Sequence, residues 1–166
     1  MNAEYVRTVQ LLLAVAPAVF DTAAFAMKGG TALNLFVQDM PRLSVDIDVV
    51  FVPLGLTREE ALGAIGAELT AAQARVEVLG LSAMLRRSKE GTEAKLFVSD
   101  GAVEVKVEVN FVFRGTVLPT ERRALTPAAQ QMFSANVELP VLATPELYAG
   151  KLVAALDRRP WAQHPP

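Results

Sequence analysis

Lys28-Gly29-Gly30-Thr31 is followed, fifteen residues after the threonine, by Asp46-Ile47-Asp48. Glycine tolerates backbone angles that other residues avoid, so the pair breaks the apolar run before it and opens a short helix. A helix N-terminus behind such a turn presents free N–H groups and the positive end of the helix dipole, where phosphates bind. Aspartates two apart on a strand project from one face, and their charges repel unless a cation lies between them. Oxygen-only ligands of this kind suit magnesium, held by one or two carboxylates together with substrate phosphates. The combination is what a divalent metal and a nucleoside triphosphate need. Each part has an ordinary alternative: the glycines a plain turn, Asp46 and Asp48 two solvated carboxylates at a strand end. The glycines match neither a Walker motif nor a dinucleotide fingerprint.

Glu104, Lys106, Glu108 and Asn110 alternate with Val103, Val105, Val107, Val109 and Phe111, the period of a half-buried strand. Glu108, in mid-strand, is the choice for a third carboxylate beside Asp46 and Asp48, and Lys106 for a charge partner or phosphate contact. The alternative is a Glu–Lys–Glu ladder in water. Lys151 lies mid-helix among Leu147, Leu152, Val153, Ala155 and Leu156. It either snorkels or reaches into a cleft to pair with triphosphate. His164 is the only histidine and sits in a proline-rich tail, which disfavours a Ser-His-Asp or zinc hydrolase. Arg86, Arg87 and Lys89 read as a solvated basic loop.

The elements that must position these groups follow from periodicity and punctuation. Glu4 to Ala16 predicts a helix, and Phe20 to Met27 a second apolar helix or its continuation past Pro17. Thr31 is the expected N-cap of a short helix over Ala32 to Val37. Val45 to Val52 predicts a strand, ended by Pro53. Thr57, followed by Glu59 and Glu60, starts a helix to about Arg75. Val76 to Leu81 and Ala94 to Val98 read as strands, with Asp100-Gly101 as a hairpin turn before Val103 to Phe113. Pro119, Pro127 and Pro140 punctuate a less regular segment. Pro145 at a first helical position starts a helix over 144–158, and a proline-rich tail covers 159–166.

With 166 residues, 52% of them hydrophobic and 20% charged, the chain has the material for one packed domain over 1–166. A net charge of −2 gives no global basic field for nucleic acid. The absence of cysteine removes disulfides and thiolate chemistry. Met1 to Glu4 lacks a basic leader region. The apolar run from Leu11 to Phe20 contains Pro17 and is too short to span a bilayer. The expectation is a cytoplasmic protein with no membrane attachment.

Lys28-Gly29-Gly30-Thr31-Ala32-Leu33-Asn34-Leu35-Phe36 and Pro41-Arg42-Leu43-Ser44-Val45-Asp46-Ile47-Asp48 closely resemble the AbiEii/AbiGii toxin family. The resemblance continues through Val105 to Asn110 and over Thr144 to Arg159. It implies an α/β (α+β) nucleotidyltransferase fold like that of polymerase β, a mixed sheet flanked by helices. It implies that Asp46 and Asp48 hold Mg2+ with Glu108 as third acidic position. Gly30 and Thr31, within the Lys28–Thr31 turn, would hold the triphosphate, Arg42 and Ser44 would line the nucleotide site, and Lys151 matches the lysine of a later helical motif. Such members transfer a nucleotide to tRNA or another acceptor and are toxins of type IV toxin–antitoxin and abortive-infection systems, which implies NTP as substrate and a cognate antitoxin as partner. The family continues past the lysine helix with an Arg-Asp element and a further helical domain. Arg158 to Pro166 shows neither, so the expectation is a chain lacking that part.

The expected chemistry is in-line transfer from an NTP to an acceptor hydroxyl with pyrophosphate leaving, Glu108 serving as base and Lys151 and Arg42 offsetting phosphate charge. Three readings stay open: a toxin modifying tRNA or other RNA; a transferase with a small-molecule acceptor, which the lack of a basic stripe favours; and an inactive relative that binds NTP or a protein partner.

Overall fold

The computed structural model describes residues 3–40, 44–88, 93–112 and 114–157. Seven strands form one mixed sheet: β1 (Phe25–Lys28), β2 (Ile47–Phe51), β3 (Ser82–Arg87), β4 (Glu93–Ser99), β5 (Glu104–Asn110), β6 (Glu121–Ala124) and β7 (Glu138–Val141). Their spatial order is β3-β4-β5-β2-β1-β7-β6. β2 runs parallel to β5 and antiparallel to β1, while β1 runs parallel to β7. Among the described residues five helices flank it: α1 (Ala3–Val19), α2 (Gly29–Ala32), α3 (Arg58–Val78), α4 (Pro127–Phe133) and α5 (Thr144–Asp157). α2 runs on directly into a wider, π-type turn over Leu33–Val37. Among the described residues no helix is long and apolar enough to cross a membrane.

The core lies where alternation puts it. Ala94, Leu96 and Val98 on β4 and Val105, Val107 and Val109 on β5 are buried, against α1 and α3, which also pack on each other. The buried stripe of α3 is Ala61, Ile65, Leu69, Ala72 and Val76, a helical spacing. Burying Ile65, Leu69 and Val76 contributes about 1.5–3 kcal/mol each. At its start Thr57 accepts from the Glu60 backbone N–H while the Glu60 carboxylate accepts from that of Thr57, the reciprocal cap expected from the sequence.

Several expectations are corrected. Phe25–Lys28 is a strand, not a helix: Phe25, Ala26 and Met27 are fully buried in the middle of the sheet, and a four-residue run buried on both faces has no period to read. α1 continues through Pro17 to Val19, since a proline in the last turn removes little of the ladder. Val76 to Val78 completes α3 instead of starting a strand, because Val76 extends the stripe one turn beyond Ala72. The segment read as a basic loop is β3, whose Arg86 lies over the Phe97 ring at 5.2 Å; Lys89 lies outside the described residues. The strand predicted over Val45 to Val52 spans Ile47–Phe51, so Asp46 lies just before it. Between Glu121 and Val141 the chain forms β6, α4 and β7, which sequence alone leaves irregular. The tail 159–166, His164 included, lies outside the described residues.

Candidate active site

The glycine turn, the aspartate pair and the Glu108 strand meet at one place because of register. Lys28 pairs with Asp48 across β1 and β2, Asp48 with Glu108 across β2 and β5, Glu108 with Lys95 across β5 and β4, and Lys95 with Arg86 on β3. Paired residues share a face. One charged row, Lys28–Asp48–Glu108–Lys95–Arg86, therefore crosses the sheet on the side away from α1 and α3.

Gly29 has φ +78, and a methyl group built on it would lie 2.0 Å from Asp48 Oδ2. Both facts require glycine: the backbone angle disfavours a Cβ, and the Asp48 carboxylate already fills the space. The turn is thus moulded around Asp48. Thr31 is not the N-cap. It is completely buried, and its hydroxyl donates to the Asp46 carbonyl at 2.6 Å and is hydrogen-bonded to Ser44 Oγ at 2.8 Å. It fastens α2 to the segment that delivers Asp46, while the helix itself begins at Gly29 behind Lys28.

The two carboxylates on neighbouring strands titrate in opposite directions. Burial pushes the Asp48 carboxyl up, and Glu108 and Asp46 add to the rise against the opposing pull of Lys28. Glu108 is also raised by burial, but hydrogen bonds from Lys106 at 2.9 Å and Lys95 at 3.2 Å outweigh it and hold the carboxyl below its ordinary range. Lys106 Nζ also lies 3.7 Å from Asp46, so an ammonium stands between Asp46 and Glu108. Among the described residues no three acidic or histidine side chains converge closely enough to hold a metal ion. The donor set nevertheless suits a hard divalent cation: it is all carboxylate oxygen, and the repulsion that raises Asp48 is what such a cation relieves.

Lys151, on α5, reaches back over the turn; a methyl group built on Gly30 would lie 3.5 Å from its Nζ and 3.1 Å from Ser44 Oγ. Two cavities adjoin it. One, about 270 Å³, is lined by Lys28, Gly29, Gly30, Asp48, Gly150 and Lys151 among others. The other, about 280 Å³, is lined by Gly30, Leu33, Asn34, Gln38, Ser44, Tyr148 and Lys151. The structure thus gathers Lys28, Gly29, Gly30, Thr31, Ser44, Asp46, Asp48, Lys106, Glu108 and Lys151; Arg42 lies outside the described residues. Sequence reasoning passed over Lys95, Gln38 and Tyr148. The hairpin register alone could have placed Lys95 opposite Glu108, and helical spacing could have put Asn34 and Gln38 on the Gly30 face.

Among solved structures, MenT4, a nucleotidyltransferase toxin from Mycobacterium tuberculosis, matches with a TM-score of 0.61 and 20% identity over 92% of this chain and 55% of its own. At that identity the likeness shows the fold, and this chain spans just over half the length of that protein. No curated protein matches the chain. The family model for the nucleotidyltransferase AbiEii toxins of type IV toxin–antitoxin systems matches residues 10–164, and the chain belongs to that family.

Proposed function

We propose that this site transfers a nucleoside monophosphate from an NTP to an acceptor hydroxyl on tRNA or another RNA, as a toxin acting in the cytoplasm and restrained by a cognate antitoxin. The observation that carries the reading is the convergence of the Gly29–Gly30 turn, the Asp48–Glu108 pair and Lys151. The helix start at the turn and Lys151 hold the triphosphate, with Ser44 beside them, and the family resemblance adds Arg42. The acceptor oxygen attacks the α-phosphorus; its bond forms as the bond to the oxygen bridging the β-phosphorus breaks, and pyrophosphate leaves with that electron pair. A carboxylate of the Asp48–Glu108 pair takes the hydroxyl proton. Asp46, Asp48 and Glu108 would hold Mg2+, which would supply charge neutralisation on the phosphates and a more acidic acceptor hydroxyl. Lys106, 2.9 Å from Glu108 and 3.7 Å from Asp46, is placed to meet phosphate.

The experiment is incubation of the protein with α-labelled ATP, CTP, GTP and UTP, magnesium and total tRNA, alongside Asp48→Ala. Label on RNA from the unmodified protein alone is the expected result. Equal labelling by Asp48→Ala would remove Asp48 from the reaction and overturn the assignment.

A further inference from the structure

The two cavities that adjoin Lys151 differ in chemistry. The one on the Asp48 side holds the carboxylate and the glycine turn. Among the described residues, the one on the far side is lined by no acidic or basic group except Lys151, at the shared wall. Gly30 and Asn34 stand four apart along α2 and its π-type extension, Gln38 follows as the extended residue that ends it, and Tyr148 and Lys151 stand three apart on α5. A groove between two helices results, closed at its outer end where Gln38 Nε2 donates to Tyr148 Oη at 2.5 Å.

Asn34 is the informative residue here. It is only 7% exposed, yet among the described residues no group hydrogen-bonds its side-chain amide. No fully enclosed polar side-chain atom lacks a partner, so the Asn34 amide keeps its opening to the cavity it lines. An amide with a free donor and a free acceptor facing a cavity is ready to meet a polar partner there. Tyr148, 41% exposed, lines the same cavity, and an aromatic ring is a surface on which a planar base stacks. A widened helical turn, as at Leu33–Val37, recurs at functional sites.

We propose that this second cavity is the nucleoside subsite of the triphosphate. The Asn34 amide reads the edge of the base, Tyr148 stacks on it, and Gln38 closes the end. Lys151 stands at the junction between the base and its phosphates. The inference rests on the nucleotidyl-transfer reading and adds to it the residues that choose among the four bases. An amide offers an NH2 donor group beside a carbonyl acceptor in fixed geometry, so its preference follows the donor–acceptor order of the base edge, which differs among the four.

The test is equilibrium binding of ATP, CTP, GTP, UTP and inorganic triphosphate to the full chain with magnesium, for the unmodified protein and for Asn34→Ala, Tyr148→Ala and Lys151→Ala. The expected result is one preferred nucleotide, bound about tenfold tighter than inorganic triphosphate, equivalent to about 1.4 kcal/mol. Asn34→Ala and Tyr148→Ala should flatten the preference and leave inorganic triphosphate unchanged, while Lys151→Ala weakens all five alike. If Asn34→Ala does not fold, Tyr148→Ala and Gln38→Ala, at the rim, carry the same test. Equal binding of all five ligands, or an unaltered preference in the variants, would overturn the nucleoside subsite and leave the transfer site standing. A folded protein that binds inorganic triphosphate and no nucleotide more tightly would do the same; one that binds none of the five would overturn both.

Discussion

The β5 side of the site and the glycine-turn side hold neighbouring carboxylates in opposite ways. Glu108 is saturated with cations: Lys106 and Lys95 both bond it, and its carboxyl is held low. Asp48 is boxed against Gly29 with two carboxylates beside it, and its carboxyl is held high. A fold selected for stability alone would treat Asp48 as it treats Glu108. On the proposed reading, Asp48 is the group whose charge a ligand would offset, and β5 is the strand that holds its neighbour already balanced by two lysines.

The contrast breaks most sharply at Asp48. Asp48→Asn keeps the shape and removes the charge, so transfer should fall by a factor on the order of 10²–10³ or more, measured with labelled NTP. The same variant should melt higher than the unmodified protein at pH 7. The raised folded-state carboxyl means that the folded chain binds more protons than the unfolded one between the two pKa values. Stability from this group therefore falls as pH rises through that window, and the advantage of Asp48→Asn should vanish in acid. Melting curves across pH 3 to 8 check the sign.

Gly29→Ala comes next. It forces a Cβ into positive φ, at roughly 1–2 kcal/mol, and displaces the Asp48 carboxylate, so stability and transfer should drop together. Thr57→Ala, far from the site, removes only the α3 cap and should cost about 1 kcal/mol with transfer per folded molecule unchanged. Lys106→Met tests the other half of the comparison. It should cost under about 1 kcal/mol, and the loss should be visible at neutral pH and disappear in acid. The depressed Glu108 carboxyl contributes stability only above its unfolded value, and loses it as pH falls through the folded one.

Much of this site was legible because its charges sit on strands with one wet face. β5 declares itself by strict alternation, and Asp48 on β2 does the same, with Asp46 just before that strand. The glycine turn was legible as a break, but its tight fit to Asp48 depends on the antiparallel pairing of β1 with β2, which local pattern does not encode. β1 itself was hidden, since Phe25 to Met27 are buried on both sides and carry no period. β3 was hidden for the opposite reason: it is an edge strand whose arginines read as a solvated loop. β6, α4 and β7 are four to seven residues each, and neighbours settle such short elements more than propensity does. Asn34 looked like one more helix residue; only the position of α5 shows its amide opening into a cavity.

The most direct test of the central claim, that Asp48 is charged and crowded in order to bind, is a pair of melting curves for the unmodified protein and Asp48→Asn at pH 7, each with and without magnesium and a nucleoside triphosphate. The account predicts that Asp48→Asn starts higher and gains little, while the unmodified protein starts lower and is raised strongly by the ligands together. Equal ligand-induced shifts in the two proteins would contradict it.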